Sequence, residues 1–197
     1  MKAFQDFPPE YMPIAIAILA IFVALFISLY FFYTLSLFNL LKAIKPENRR
    51  MKAGIVWLTM VSILELFFAF DELYGAELDQ SLLLGLNGLF YLISIFNLVF
   101  QFYMVNKIAD SIEAEFKSRS LSVEPRPTYQ LGLMMCICAL VSIVQKVPML
   151  AFFAQIAGIA GFVIWIVYWI KITEWKNKIK FLPRQDNNDS SLFKDLY

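Results

Sequence analysis

The sequence predicts an all-α integral membrane bundle of five transmembrane helices, with the third helix extending into the cytoplasm. Of the 197 residues, 60% are hydrophobic, whereas a soluble domain of this length has about 45–50% apolar residues. Several uncharged runs reach the roughly 18–20 residues that cross about 30 Å of hydrocarbon. Lys and Arg are concentrated in the connectors between alternate runs, which favours an odd number of crossings.

The first predicted span covers residues 13–41 and begins at Pro13. Proline suits the first turn of a helix, because the N–H that it lacks would have no helical partner there. The apolar run is about twice as long as the core of a signal peptide and has no small-residue cleavage site after it, so we expect it to stay as a membrane helix. The other predicted spans are 54–73, 82–105, 129–147 and 149–171, all in one domain of residues 1–180, followed by a polar tail of residues 181–197.

The third helix organises the rest of the prediction. Its apolar part carries five polar side chains on one face, at Asn87, Tyr91, Ser94, Asn97 and Gln101. Its last third, residues 106–118, is charged and amphipathic. One helix is therefore predicted to leave the membrane and continue into water.

Orientation follows from Lys and Arg alone, which accumulate on the cytoplasmic side. With five spans, 15 of the 17 Lys and Arg residues lie on one side, and only Lys2 and Lys146 lie on the other. The sequence thus predicts an external N-terminus and a cytoplasmic C-terminus. Trp165, Tyr168 and Trp169 precede Lys171 and are predicted to form an aromatic belt at the cytoplasmic headgroups.

The absence of histidine excludes mechanisms that need imidazole, including His-bound zinc and Ser–His or Cys–His nucleophiles. Cys136 and Cys138 are two residues apart in a helix, so their side chains diverge and we expect free thiols. We find no hydrolase, metalloprotease or phosphate-loop motif. The sequence predicts no enzyme activity, no cofactor, no metal site and no nucleic-acid partner.

Glu65 is the sharpest candidate for a functional residue inside the membrane, because a carboxyl group at mid-span usually faces the bundle. Counting along the antiparallel second and third helices places it near Tyr91 and Ser94. We predict a buried polar cluster of Glu65, Tyr91, Ser94, Asn97 and Ser28. A protonated Glu65 could hold the two helices in register, or the cluster could bind or pass a proton, cation or polar solute. We favour the structural role.

The cytoplasmic end of the third helix is the second candidate. Ile108, Ile112 and Phe116 recur every four residues opposite a charged face. They could pack on the connectors as an ordinary helix end. Alternatively, they could form a docking or lipid-headgroup surface together with Arg49, Arg50 and Arg126.

Four segments resemble a family of bacterial multi-pass inner-membrane proteins with no assigned activity. They are KPENRRMKAGIVWL (45–58), IFNLVFQFYMVNKIADSIEAEFKSR (95–119), RPTYQLGL (126–133) and IVYWIKITEWKNKI (166–179). The resemblance implies a bacterial inner membrane and no mechanism. The region around residues 60–90 is longer here than in that family, so Glu65 is not carried over as a family site.

These observations lead to two hypotheses about function. The favoured one is a non-enzymatic accessory, scaffold or assembly component of the inner (plasma) membrane that docks through its cytoplasmic face. The alternative is a small transporter or an ion- or proton-conducting protein that uses the cluster around Glu65. The predicted partners are membrane lipids and either a second protein or further copies of this chain.

Overall fold

A computed structural model describes residues 9–61, 80–142 and 149–182. Within these ranges the chain forms four α-helices and three 3₁₀ segments, without a strand. The helices are α1 (Met12–Ala43), α2 (Gln80–Ser118), α3 (Tyr129–Ser142) and α4 (Ala151–Phe181). The 3₁₀ segments are Pro9–Tyr11, Pro46–Asn48 and Ala53–Val61. The predicted all-α class is confirmed for this part of the chain.

Proline marks both ends of α1. Pro13 lies in its first turn, where it removes no helical hydrogen bond. At the other end the backbone turns extended at Ile44, whose N–H still donates to the Leu40 carbonyl at 3.3 Å. Pro46 follows, and because proline disrupts the interior of a helix, the sequence predicts the observed exit into a polar connector.

The helix α2 is continuous for 39 residues, through Asn106 and into the charged segment. At about 1.5 Å per residue it is roughly 58 Å long, well beyond a hydrocarbon layer of about 30 Å. The prediction of one helix that joins an apolar part to a charged part is therefore confirmed.

The second predicted span differs from expectation where the structure describes it. Residues Ala53–Val61 form a 3₁₀ segment instead of an α-helix. Four of these nine residues are β-branched, which weakens α-helical preference. The Thr59 hydroxyl also donates to the Val56 carbonyl three residues earlier, at 2.7 Å. The rest of the predicted span, residues 62–73, lies outside the described residues.

The helices α3 and α4 pack closely against each other. A Cβ atom built on Gly161 of α4 would lie 3.0 Å from the Cys138 Cβ of α3. The described part of α3 ends at Ser142, so residues 143–147 of the predicted span are outside the described ranges. The helix α4 continues past the predicted span to Phe181.

The buried core is concentrated at one end of the bundle. It includes Leu37 and Leu41 of α1, Met104 and Ile108 of α2, and Tyr168 and Ile172 of α4, among others. By contrast, no side chain from Pro13 to Phe32 of α1 is buried. Large apolar side chains cover the outside of the opposite half, including Ile21, Phe22, Phe152 and Ile159.

Three of the described helices are long and apolar enough to cross a membrane. They are Pro13–Ala43, Leu92–Ser118 and Ala151–Phe181, while Tyr129–Ser142 is apolar but shorter. Exposed apolar surface on this scale would be unfavourable in water and is favourable in lipid. Length, composition and exposure together indicate a membrane protein.

Candidate functional site

The candidate site is the end of the bundle where the charged segments meet, which we call the basic end (residues 42–52, 107–128 and 171–182). It contains thirteen Lys and Arg residues against six Asp and Glu residues, an excess of seven positive charges. Hydrogen bonds connect all three segments. The segments that the sequence assigns to one side of a membrane are thus neighbours in space.

Glu115 of α2 lies at the centre of the basic end. Its side chain has 0% exposure, and both carboxylate oxygens accept hydrogen bonds. Oε2 accepts the backbone N–H of Lys45 at 2.9 Å and the side-chain amide of Asn48 at 2.8 Å. Oε1 accepts Nε and Nη2 of Arg119, the first at 2.9 Å. A buried charge is tolerated when it is paired and hydrogen-bonded in this way.

Arg119 extends the same network to α4. Its side chain is only 8% exposed. Nη1 donates to the carbonyl of Leu182 at 3.3 Å and to that of Ile179 at 3.5 Å. Ile179 lies in the last turn of α4 and Leu182 is its C-cap residue, and carbonyls at this end have no helical donors, so a cation is favourable there. One ion pair therefore links the connector, α2 and α4.

The connector has a second attachment to α2. The backbone N–H of Arg50 donates to Ser111 Oγ at 2.9 Å, while the Arg50 side chain itself is exposed. Arg49 is half-buried and donates through Nε to the Ile44 carbonyl at 2.9 Å and through Nη2 to the Lys42 carbonyl at 3.2 Å. Arg49 thus stabilises the end of α1, whereas Arg50 is available to a ligand.

Arg126 holds the loop that leads into α3. Its backbone N–H donates to Glu113 Oε2 at 2.9 Å, and its Nε donates to Asp110 Oδ1 at 3.2 Å. The guanidinium also lies 3.8 Å from the centre of the Tyr129 ring. Arg126 itself has a φ of 48° and Thr128 a φ of 70°. Arg126 precedes Pro127, a position that favours extended backbone, so its left-handed conformation is strained, and the Arg126 contacts stabilise this turn.

The structure corrects the apolar half of the predicted docking surface. Ile108 and Ile112 have 0% exposure and Phe116 has 7%. Phe116 packs edge-on against Trp175 of α4, with ring centres 5.1 Å apart. This stripe is buried because the end of α4 and the connector cover it. Of the two interpretations, an ordinary helix end that packs on the connectors is the one that describes these three residues.

The mid-membrane polar cluster is described only in part. Asn97 is 7% exposed and lies 3.5 Å from the Gln101 amide, which also lies 3.4 Å from the Tyr30 hydroxyl. Ser94 is half-buried. Glu65 lies outside the described residues, as does the Tyr91 side chain, so the cluster around them stays a prediction.

Ser28 does not belong to a buried cluster. Its side chain is exposed, and its hydroxyl donates to the Ala24 carbonyl of its own helix at 2.8 Å. Counting residues along a predicted span gives the depth of a residue in the membrane but not the direction in which its side chain faces. That direction depends on how α1 packs.

The predicted aromatic belt is also corrected, because two of its members are inside the bundle. Trp165 has 7% exposure and Tyr168 has 0%. Trp165 stacks on Tyr30 of α1 with ring centres 5.6 Å apart. Trp169 is half-buried and donates through Nε1 to Ser36 Oγ of α1 at 2.9 Å. These rings join α4 to α1 instead of facing lipid headgroups.

No protein-family model, curated protein or solved structure matches the chain. The resemblance to bacterial inner-membrane proteins therefore stays a prediction. Among the described residues, His, Cys, Asp and Glu side chains form no group that could hold a metal ion. Cys136 is buried and Cys138 half-buried, and both are free.

Glu115 is the residue that sequence reasoning missed. The signal was present, because Glu115 is seven residues after Ile108 and therefore lies about 20° from it around the helix. Arg119 follows four residues later on the same face. A carboxylate and a guanidinium within an apolar stripe indicate a buried pair if the stripe is covered, and only the fold shows that it is.

Proposed function

We propose that the chain is a non-enzymatic, multi-pass protein of the bacterial inner membrane that acts as an accessory, scaffold or assembly component. It docks an acidic protein partner through the basic end. The observation that carries this proposal is the buried pair of Glu115 and Arg119, which ties the connector, α2 and α4 together. A docking surface built on a fixed frame loses less conformational freedom when a partner binds.

The exposed charges on that frame support an acidic partner. Lys117, Lys178 and Lys180 are all exposed. Complementary charge speeds association and selects partners more than it raises affinity. Because Ile108, Ile112 and Phe116 are buried, the proposed contact uses these cations and not the apolar stripe.

The same geometry supports five crossings, with the N-terminus outside and the C-terminus in the cytoplasm. The C-terminal ends of α1, α2 and α4 and the N-terminal end of α3 all lie at the basic end. Together with the span predicted at residues 54–73, these helices give five crossings. The distribution of Lys and Arg favours a cytoplasmic basic end.

Site-specific crosslinking in native membranes tests the proposal. A photoreactive amino acid replaces Lys180 at the basic end, and in a matched variant it replaces Ile159 on the exposed apolar part of α4. We expect a discrete heteromeric adduct at position 180 that is absent at position 159. Lys178→Glu combined with the probe at position 180 should reduce this adduct, because it opposes an acidic partner.

Two results would contradict the proposal. One is the absence of any protein adduct from position 180 and from a second basic-end position such as Ser122. The other is the same set of adducts from position 159 and position 180, which would indicate random collisions in the membrane.

A further inference from the structure

The connector between α1 and the Ala53–Val61 segment lines a cavity of about 430 Å³ that is open to the surface. Its walls are Pro46, Arg49, Arg50, Met51, Lys52 and Ala53. Three of these six residues are cationic and none is acidic. In the described part of the chain, no ion pair engages Arg49, Arg50 or Lys52.

Hydrogen bonds hold two of the residues that line the cavity. The N–H of Arg50 is bonded to Ser111, and the guanidinium of Arg49 is held by two carbonyls of the α1 terminus. Those bonds use two of the five N–H donors of Arg49. The side chains of Arg50 and Lys52 are exposed. Guanidinium groups suit phosphate because several N–H groups can face its oxygens at once.

An exposed apolar strip begins at Trp57, four residues after the last residue of the cavity wall. Trp57 is 36% exposed and packs with Phe38 and Phe31, with ring centres 6.0 and 5.7 Å apart. Leu58 and Phe31 are each 41% exposed beside it. Lys42 lies with its ammonium 4.5 Å from the centre of the Phe38 ring. Amphipathic aromatic residues next to cations are typical of the boundary between headgroups and acyl chains.

We propose that this cavity binds the phosphate-bearing headgroup of an anionic phospholipid, whose acyl chain lies along Phe31, Phe38, Trp57 and Leu58. The basic cavity and the apolar strip follow each other along the same segment of chain, so an occupant that used both would have an anionic head and an apolar tail. A free phosphate would use only the cavity. The inference rests on the basic end lying at the membrane surface and is independent of a protein partner.

Native mass spectrometry of the full chain in detergent tests this inference. Phosphatidylglycerol and phosphatidylcholine of equal chain length are titrated separately, and we expect one phosphatidylglycerol to be retained in preference to phosphatidylcholine. Arg50→Gln with Lys52→Gln should weaken phosphatidylglycerol binding roughly ten- to thirtyfold, because each Lys or Arg near a membrane surface contributes about fivefold in affinity and the two effects multiply. Arg50→Lys with Lys52→Arg keeps both charges and should retain binding.

The matched control is Lys176→Gln with Lys180→Gln, which removes two charges from the same end of the bundle but not from the cavity. Equal binding of the two lipids, or equal loss in the control, would overturn the inference. Glycerol phosphate that displaces the lipid at the lipid's own concentration would also overturn it, since the strip would then contribute nothing. A chain that binds no protein partner would still bind the lipid, so this inference and the proposed function fail separately.

Discussion

Glu115 shows how a charged residue can belong to the core of a membrane protein. Removing a carboxylate from water is unfavourable by several kcal/mol, and a nearby cation offsets this only when the remaining lone pairs are also satisfied. Each carboxylate oxygen of Glu115 accepts two N–H groups. Oε2 accepts those of Lys45 and Asn48, and Oε1 accepts two from Arg119. The pair is favourable only in this fold, because its partners come from distant parts of the sequence.

Glu115→Gln should strongly destabilise the bundle. The substitution leaves the Arg119 guanidinium buried beside an amide, and breaking one partner of a buried pair costs about 3–5 kcal/mol. The measurement is the free energy of unfolding, or the melting temperature, in detergent micelles. Adding Arg119→Gln should cost little more than Glu115→Gln alone, because the pair acts as a unit.

The control for this prediction is Glu174→Gln. Glu174 pairs with Lys171 at 2.9 Å, but both side chains are nearly half exposed. Water screens such a pair, so we expect the melting temperature to stay unchanged. Equal effects of the two substitutions would contradict the central role of Glu115.

At the scale of the element, Gly132 sets how closely α2, α3 and α4 approach. A Cβ atom at this position would lie 2.4 and 2.7 Å from the two methyl carbons of Val105 and 3.1 Å from Tyr168 Cε2. Val105 is itself 1% exposed and has a stiff, branched side chain. These neighbours have little room to move, so the glycine is required by packing.

Gly132→Ala should therefore destabilise the bundle by about 1–3 kcal/mol, as overpacking does elsewhere. Gly158→Ala on α4 is the matched control, because its added carbon would meet only Ser142 Cβ at 4.0 Å. That substitution should be neutral or stabilising, since alanine is the better helix former by about 1 kcal/mol. The measurement is thermal unfolding of the two variants in detergent, and a stable Gly132→Ala variant would contradict the close approach.

At the scale of the whole molecule, the bundle has two unlike halves. The basic end and the helix turns next to it hold most of the buried core and the polar network, whereas the opposite half of α1 has no buried side chain between Pro13 and Phe32. In lipid the second half needs no covering, because acyl chains solvate apolar side chains as well as protein does. Folding of the described residues therefore depends most on contacts at the basic end.

Thiol labelling tests the proposed topology. In a background of Cys136→Ala and Cys138→Ala, single cysteines replace Glu10, Ser122 and Asn177, which are all exposed. A membrane-impermeant reagent should label position 10 only from outside and positions 122 and 177 only from the cytoplasm. Labelling of positions 10 and 122 from the same side would mean an even number of crossings between them and would contradict the five-span proposal.

Sequence patterns predicted the features that depend on a single segment. The apolar spans of α1 and α4, the stop at Pro46 and the continuity of α2 through Asn106 follow from composition and backbone chemistry within one stretch. Whether a given side chain faces the bundle interior or its surroundings was less predictable. Ser28 is exposed, and Ile108, Ile112 and Phe116 are buried, because side-chain facing depends on which helices and connectors pack around each residue.

The sequence by itself determined that this chain is helical and that it has stretches apolar enough for a membrane. It also determined that Lys and Arg are concentrated in the connectors between alternate apolar stretches. These properties are sums over neighbouring residues, so local chemistry suffices. The tertiary structure alone decided that the apolar stripe of α2 is covered and that Glu115 is its polar centre. Glu115 meets Lys45 across 70 residues of sequence, and such a contact depends on the packing of whole helices, which no local pattern specifies.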